Sequence, residues 1–449
     1  MVSEIGRKRL TRGWLVLVAC LSAHAPARGE DLAEIYTLAR QNDPKYNAAR
    51  YEFEAAAYAE PQALAALLPT AGFEMTRAST RQNIISSRNP VFATGSTQFP
   101  TDNRTLTLTQ PIFKLSAWRG YEQAKVKVKQ AAAIYSGAEQ DMMLRTATAY
   151  LTVLAARDVL AFASAERDAI KRQLDLVQQR FASGLVAIAN LHDAKARYAI
   201  KDADVVAARI DLDDKLQALR ELTGSVASNL KPLRDVIPLD SPEPNNMDHW
   251  VEAAQKQNLL LEARRLAVEV AQQEVARQRA GHSPVLDLVV TQNRKDTGGS
   301  LFGGGSDVAT TDVMLRLNIP IYSGGLVSAV SGEAAKRYQG SLEDLERDLR
   351  QTERQTRAAF QGVTGGAVRV TALAQGVLSS ESARELKTEG YKAGLETILQ
   401  VLDAERDLYA ARRDSAKARY DLLLNRLRLK QAVGTLNETD LAAINGLLY

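Results

Sequence analysis

The sequence predicts an α+β membrane protein in which four strands per chain close, across a homotrimer, into a twelve-stranded β-barrel continued by a long α-helical barrel. Three observations carry this prediction. The chain reads as two copies of one pattern, its helical segments are too long for a globule, and its four strands are amphipathic but too few to close alone.

The copies are clearest at two glycines. The segment QRFASGLVAIANLHDAKARY, Gln179 to Tyr198, matches EGYKAGLETILQVLDAERDLY, Glu389 to Tyr409. Aligning Gly184 with Gly394 also aligns Leu185 with Leu395, Asn190 with Gln400 and Asp193-Ala194 with Asp403-Ala404. Each glycine interrupts a long helical pattern, as the tip of a helical hairpin would, and repeats are settled before any motif is trusted. The boundaries that follow are residues 30–230 for the first copy, a Pro-rich connection over 231–246, and residues 247–449 for the second.

Composition supports long paired helices. Aromatics are only 6% while Ala, Leu, Arg, Glu, Gln and Asp dominate. The formal charge of +4 resides wholly in residues 1–29, where Arg7, Lys8, Arg9, Arg12 and Arg28 face Glu4. The remainder is neutral, which leaves no basic field to attract nucleic acid. Those first residues read as an export signal: a basic stretch, a short apolar run from Trp14 to Leu21, and small residues before a cleavage point near Ala27-Arg28-Gly29. The run is far too short to span a bilayer as a helix. The only cysteine, Cys20, lies inside it. Ordinary cleavage leaves a chain without thiols, suited to an oxidising compartment. Leu17-Val18-Ala19-Cys20 also matches a lipoprotein box, in which Cys20 would be the lipidated N-terminus.

In chain order, Leu32, Ile35, Tyr36 and Leu38 open a helix that is predicted to run to Leu68, before Pro69. Phe73 to Arg77 and Thr105 to Thr109 alternate polar and apolar residues, the strand period, with a polar loop over 83–100 and an end at Pro111. A helix from Ser116 to Ala182, the tip, and a helix from Ala189 to Leu222 follow. After the connection, a helix from Asp248 to Arg279 leads into a strand past Pro284, with Leu286, Leu288 and Val290 on one face. A loop over Thr297 to Ser306 precedes a strand with Val313, Leu315, Leu317 and Ile319 on one face and Asp312, Met314, Arg316 and Asn318 opposite. Helices over 325–391 and 398–433 flank the second tip.

Ser116 to Ala182 is about 67 residues, or roughly 100 Å as a helix. Its return arm is about half that, so 248–279 is expected to prolong it, with 31–68 prolonging 398–433. Each long helix then faces two short ones. Four strands cannot close, and spanning sheets must. Strands of about ten to twelve residues with one apolar face have the pattern of outer-membrane strands. Three chains supply twelve strands and a passable lumen, whereas eight strands would fill their own interior.

With LTLTQPIF and Trp118-Arg119, TATAYLTVLAARDVL, QRFASGLVAIANL, LNIPIYSGG, VLDAERDLYAAR and AVGTLNETDLAAIN in this order, the chain from Asp31 to Leu448 resembles the TolC family of outer-membrane channel-tunnels. The resemblance implies a homotrimer in the outer membrane of a Gram-negative bacterium, its barrel surrounded by outer-membrane lipid. It also implies a periplasmic α-barrel, with 231–246 at its equator. Members serve as exit ducts for type I protein secretion or multidrug efflux, as passive pores gated at the periplasmic tips. Their implied partners are a periplasmic adaptor protein and an inner-membrane ABC or proton-driven transporter. The contrasting reading is a structural periplasmic coiled coil without channel activity, which has no use for four amphipathic strands.

Family pores are lined by two aspartate rings, and their mouths are clasped by an aspartate with an arginine or tyrosine. Tyr391 matches the gate tyrosine and Asp403 the lower ring, while the other ring position is Gln400. Asn190 replaces the clasp aspartate and Glu396 the arginine, so the charged clasp does not carry over. Neutral hydrogen bonds from Tyr391 to Asn190 or Gln400 would then hold more of the gate, each worth about 1 kcal/mol. Three copies of Asp403 at a narrow point would attract cations, although pairing with Arg406 at i+3 on a solvated face is the plainer role. Asp193, with Arg197 at i+4, fits that plainer role better. Gly184 and Gly394 suit positive φ. Leu185 and Leu395 are candidates for adaptor contact or for packing within the hairpin. His24, His192, His249 and His282 are scattered without metal spacing, and Gly303-Gly304-Gly305 has neither the lysine nor the following helix of a phosphate loop. No nucleophile, base and orienting group come together, so the sequence predicts neither enzyme activity, metal nor cofactor.

Overall fold

The computed structural model describes residues 30–86, 94–226, 229–299 and 304–449. Residues 1–29, where the sequence predicts an export signal with Cys20 and His24, the Asn89-Pro90 pair of the predicted loop, and Gly303 lie outside them. Three short helices, α1 (Leu32–Asn42), α2 (Pro44–Ala57) and α3 (Ala59–Ala65), precede strands β1 (Thr70–Ile84) and β2 (Gly95–Lys114). The first hairpin is α4 (Leu115–Ala182) and α5 (Ile188–Thr223). Helices α6 (Met247–Gln257) and α7 (Leu259–Arg279) lead through a 3₁₀ turn at Ala280–His282 into β3 (Val285–Thr297) and β4 (Ser306–Asn318). The second hairpin, α8 (Leu326–Lys392) and α9 (Ile398–Val433), is followed by α10 (Glu438–Asn445). The long arms have 68 and 67 residues and both return arms have 36.

Two predicted helices are broken. Asp43 ends α1 and caps α2 by accepting from Lys45 N at 3.1 Å, with Pro44 at the first helical position. Proline lacks the N–H that the preceding turn would need, but is at home there. Asn258 likewise ends α6 and caps α7, accepting from Leu261 N at 3.1 Å. Pro111 does not end β2. The strand runs on to Lys114, with its register to β3 shifting between Pro111 and Phe113, so a bulge absorbs the missing donor. β1 and β2 also extend into the predicted loop, as far as Ile84 and from Gly95.

The end-to-end order of the helices differs from expectation as well. α5 is prolonged by the N-terminal helices and α9 by α7, the reverse of the predicted assignment. The junctions show why. Asn42 Nδ2 donates to Thr223 O at 2.9 Å, and Asn258 Nδ2 donates to Ala432 O at 2.8 Å. Helix C-termini leave carbonyls without intrahelical partners, and these asparagines meet one at each junction. Gly434, at φ 82°, lets α9 end so close to α7 that a side chain there would collide with the Gln257 carbonyl. α2 is in turn held on α4 by Arg145 on Asp43 at 2.5 Å and by the Tyr46 and Tyr135 hydroxyls at 2.7 Å.

The strands form one antiparallel sheet in the order β1-β2-β3-β4. Register places Leu108 beside Val290 and Val290 beside Val313, Leu288 beside Leu315, and Leu286 beside Leu317. These share one face, whose Leu106, Val313, Leu315 and Leu317 are exposed. Thr105, Thr107, Asn293, Asp312 and Arg316 lie on the other. Within the chain, β1 and β4 are the sheet's two edges.

The main core lies midway along the long helices, where α1, α10 and residues 229–237 cross them. Tyr150, fully buried, places its hydroxyl 3.2 Å from Glu30 O and 3.0 Å from Lys231 O, tying both crossing segments to α4. A smaller, separate core joins the two hairpins near their tips.

Candidate gate at the hairpin tips

Both tips end in the same backbone motif. Gly184 and Gly394 are left-handed, at φ 73° and 76°. Gly184 N donates to Phe181 O and Leu185 N to Arg180 O; Gly394 N donates to Tyr391 O and Leu395 N to Gly390 O. This is the Schellman pattern, which requires a residue free of a Cβ penalty at the glycine. The motif usually packs the residue after the glycine against the one five positions earlier. Here those earlier residues are Arg180 and Gly390, which offer no apolar partner. Leu185 and Leu395 are accordingly 73% and 84% exposed. Packing within the hairpin does not account for them.

Above the turns, Ile170, Leu174 and Val177 of α4 and Leu191 and Ala194 of α5 meet Ile398, Val401 and Leu402 of α9 and Tyr391 of α8. The guanidinium of Arg180 lies 4.4 Å above the Tyr391 ring, a cation–π contact between hairpins. The Tyr391 hydroxyl is buried and, among the described residues, makes no hydrogen bond. Gln400 is exposed, and its Oε1 accepts from Thr397 N and Oγ1, each at 2.7 Å, closing a capping box at the start of α9. Asn190 is half-buried; among the described residues no hydrogen bond joins it to Tyr391 or Gln400. Glu396 folds back against Gly390, where any Cβ would strike its Cγ.

Charge enters a little higher. Asp403 Oδ1 accepts from Arg197 Nη1 at 2.8 Å, across the hairpins, and Arg406 of its own helix lies at 3.5 Å. Arg197 thus serves Asp403 rather than Asp193, which is exposed. Glu166 of α4, only 1% exposed, has Lys201 Nζ of α5 at 3.0 Å and Arg413 of α9 at 3.9 Å. Glu405 is buried alongside. Burial raises its pKa above the usual carboxylate value, against the opposing pull of Arg384, Arg172 and Arg412. A cavity of about 330 Å³ opens between the hairpins here, lined by Glu166, Ile170, Arg197, Lys201, Leu402 and Arg406, among others.

Of the residues read from the sequence, Tyr391 lies in the small core between the hairpins and Asp403 bonds across them. The sequence does not single out Arg180, Glu166 or Glu405, and its spacing pairs Arg197 with Asp193 instead of Asp403. A signal for the two glutamates exists, since each interrupts an apolar helical stripe: Ala163-Glu166-Ala169-Ile170 and Leu402-Glu405-Leu408-Tyr409. Among the described residues, no group of three or more His, Cys, Asp or Glu side chains is placed to hold a metal. The arrangement holds the two hairpins together and presents a carboxylate beside a cleft. His192, His249 and His282 take no part in it.

Comparison with known proteins gives consistent matches. The family model described as outer membrane efflux protein matches residues 35–225 and 250–435. Outer membrane protein TolC of Escherichia coli K12 is 34% identical over 432 residues, covering 94% of this chain and 86% of that protein. The proteases secretion protein PrtF of Dickeya chrysanthemi is 30% identical, covering 95% and 93%. Among solved structures, the Campylobacter jejuni CmeC outer membrane channel superposes with a TM-score of 0.81 at 15% identity, covering 94% and 90%.

Proposed function

The chain belongs to the outer membrane efflux protein family, and from that membership we propose that it is an outer-membrane channel-tunnel, the exit duct for type I protein secretion or drug efflux. The observation that carries this is 34% identity to an outer-membrane TolC across 94% of the chain, with a protease-secretion relative matching over a similar span. Family and structural neighbours are channels rather than enzymes.

The finer reading starts from the sheet. Its exposed apolar face suits lipid, and its two free edges suit pairing of β4 with β1 of a neighbouring copy. Three chains then give a closed twelve-stranded barrel, which satisfies every backbone group in the membrane. Residues 1–29 act as the export signal, and 30–230 and 247–449 act as two copies of one unit joined through 231–246. The pore is passive. Energy comes from an inner-membrane transporter reached through a periplasmic adaptor, for which Leu185 and Leu395 are the contact points, presented by the turns at Gly184 and Gly394. The mouth opens when the α8–α9 hairpin swings away from α4–α5. Tyr391, Asn190 and Glu396 lie at the moving joint, and Asp403, with Gln400 a turn below, faces the lumen.

The test is membrane fractionation followed by planar-bilayer recording. The product should sediment with outer membranes, run as a detergent-resistant trimer and conduct ions. A soluble, non-conducting product would sink the reading.

A further inference from the structure

We propose that Arg197 couples the closing of the mouth to its charge: bound to Asp403 it both clasps the hairpins and neutralises the pore carboxylate. The proposal rests on the tip-gated channel reading above. Asp403 has two cationic neighbours, but they are not equivalent. Arg406 is on the same helix, travels with Asp403 in any hairpin movement, and gives its guanidinium to Asp407 through two hydrogen bonds of 2.9 and 3.0 Å. Arg197 is on α5, so its 2.8 Å bond to Asp403 exists only while the hairpins are together. Arg197 is not otherwise committed to a carboxylate within its own hairpin, since neighbouring Glu166 is served by Lys201 and Arg413.

A consequence follows from geometry and charge alone. With the hairpins together, each Asp403 is paired and contributes little field to the mouth. With the hairpins apart, three carboxylates are released at the narrowest point at the moment it widens. Cation preference is therefore a property of the open mouth, and gate and filter share one residue. This also accommodates Glu396 and Asn190, because the clasp sits about two helical turns above the positions they occupy.

The experiment uses purified full-length trimers in planar bilayers under a KCl gradient, with equal yields of detergent-resistant trimer as the check on folding. A half-exposed ion pair is worth up to a fewfold in an equilibrium. Arg197→Gln should thus raise resting conductance about fivefold and shift the reversal potential further toward cations. Asp403→Asn should raise conductance similarly but shift the reversal potential the other way. Arg197→Lys and the exchanged pair Arg197→Asp with Asp403→Arg should return conductance toward wild type, and Arg406→Gln should leave it there. Wild-type behaviour of Arg197→Gln overturns the proposal, and so does a conductance rise with unchanged ion preference, which a merely structural contact would give. Failure of the channel reading is distinct, since the unaltered protein would then be silent.

Discussion

Replacing Leu402 by alanine tests whether the small tip core, and not only charge, holds the two hairpins together. Leu402 is fully buried among residues of α4, α5, α8 and α9. Truncating a buried leucine costs roughly 2–5 kcal/mol, depending on how far the site collapses. Leu402 borders the cleft between the hairpins and lies near their free ends, so collapse is easy and the low end applies, about 2 kcal/mol. At 1.36 kcal/mol per factor of ten, local opening becomes about 30-fold more frequent. Amide hydrogen exchange followed by mass spectrometry reads this directly. Peptides covering 170–194 and 391–405 should exchange about 30-fold faster, while those around Tyr150 and Leu422 in the main core should not change. Acceleration confined to α9 would refute the reasoning, because the core would then not span the hairpins. Uniform acceleration throughout the helices would refute the independence of the tip.

On the sheet, Leu315→Arg places a charge on the apolar face at a residue 71% exposed and should cost roughly 2–4 kcal/mol if it lies near the bilayer midplane. Outer-membrane trimer should fall, whereas Met314→Arg on the opposite face should be tolerated; equal yields would reverse the assignment of faces. Substituting both Leu185 and Leu395 with Asp should abolish crosslinking to the cognate adaptor without lowering thermal stability, and wild-type crosslinking would remove their docking role. Glu274 of α7 accepts from Arg277 at 2.7 Å, from Gln278 at 2.6 Å and from Gln123 of α4 at 2.9 Å. Led by Arg277, these hold its pKa down to about 2 from 4.5. A depressed carboxylate stabilises above its unfolded pKa and loses that contribution as pH falls through the folded one. The Tm advantage of wild type over Glu274→Gln should therefore be full above pH 5 and shrink toward pH 2; a pH-independent gap would rule out the charge.

The long helices were legible to within a residue or two: Ser116–Ala182 against Leu115–Ala182, and 398–433 at both ends. Their periodicity is unbroken by proline, and a left-handed glycine follows the C-terminal end of each arm, at Gly184, Gly224, Gly394 and Gly434. The breaks at Asp43 and Asn258 were not legible from periodicity, because apolar spacing resumes in phase on the far side of each. The signal was present in the capping residues and in the shared dipeptides Gln41-Asn42 and Gln257-Asn258, whose asparagine side chains join each helix to the one it prolongs. The Arg197 contact was illegible for another reason. Spacing along one helix pairs Arg197 with Asp193 at i+4, whereas its actual partner depends on the rotation of α9 against α5, which no single-helix pattern specifies.

Glu396 and Gln400 read in sequence as departures from the family's clasp arginine and from its second aspartate ring, but each has a local use that the family residue at the same place would not serve. Glu396 fills the space that Gly390 leaves beside the turn, and Gln400 closes the cap on α9 through two 2.7 Å hydrogen bonds. Both stiffen the outermost turn. Leu395 to Asp403 is then a nearly rigid span of about 12 Å, with an exposed apolar residue at one end and the Arg197 pair at the other. On the proposed gate, a partner that holds Leu395 acts on Asp403 through this span. Docking needs no contact with the clasp itself, and the docking surface can be altered at Leu395 without changing the charge of the pore. The two functions should then separate by mutation: Leu395→Asp should spare resting conductance and reversal potential, while Arg197→Gln should spare adaptor crosslinking. If instead Leu395→Asp opened the pore by itself, the turn would be part of the clasp.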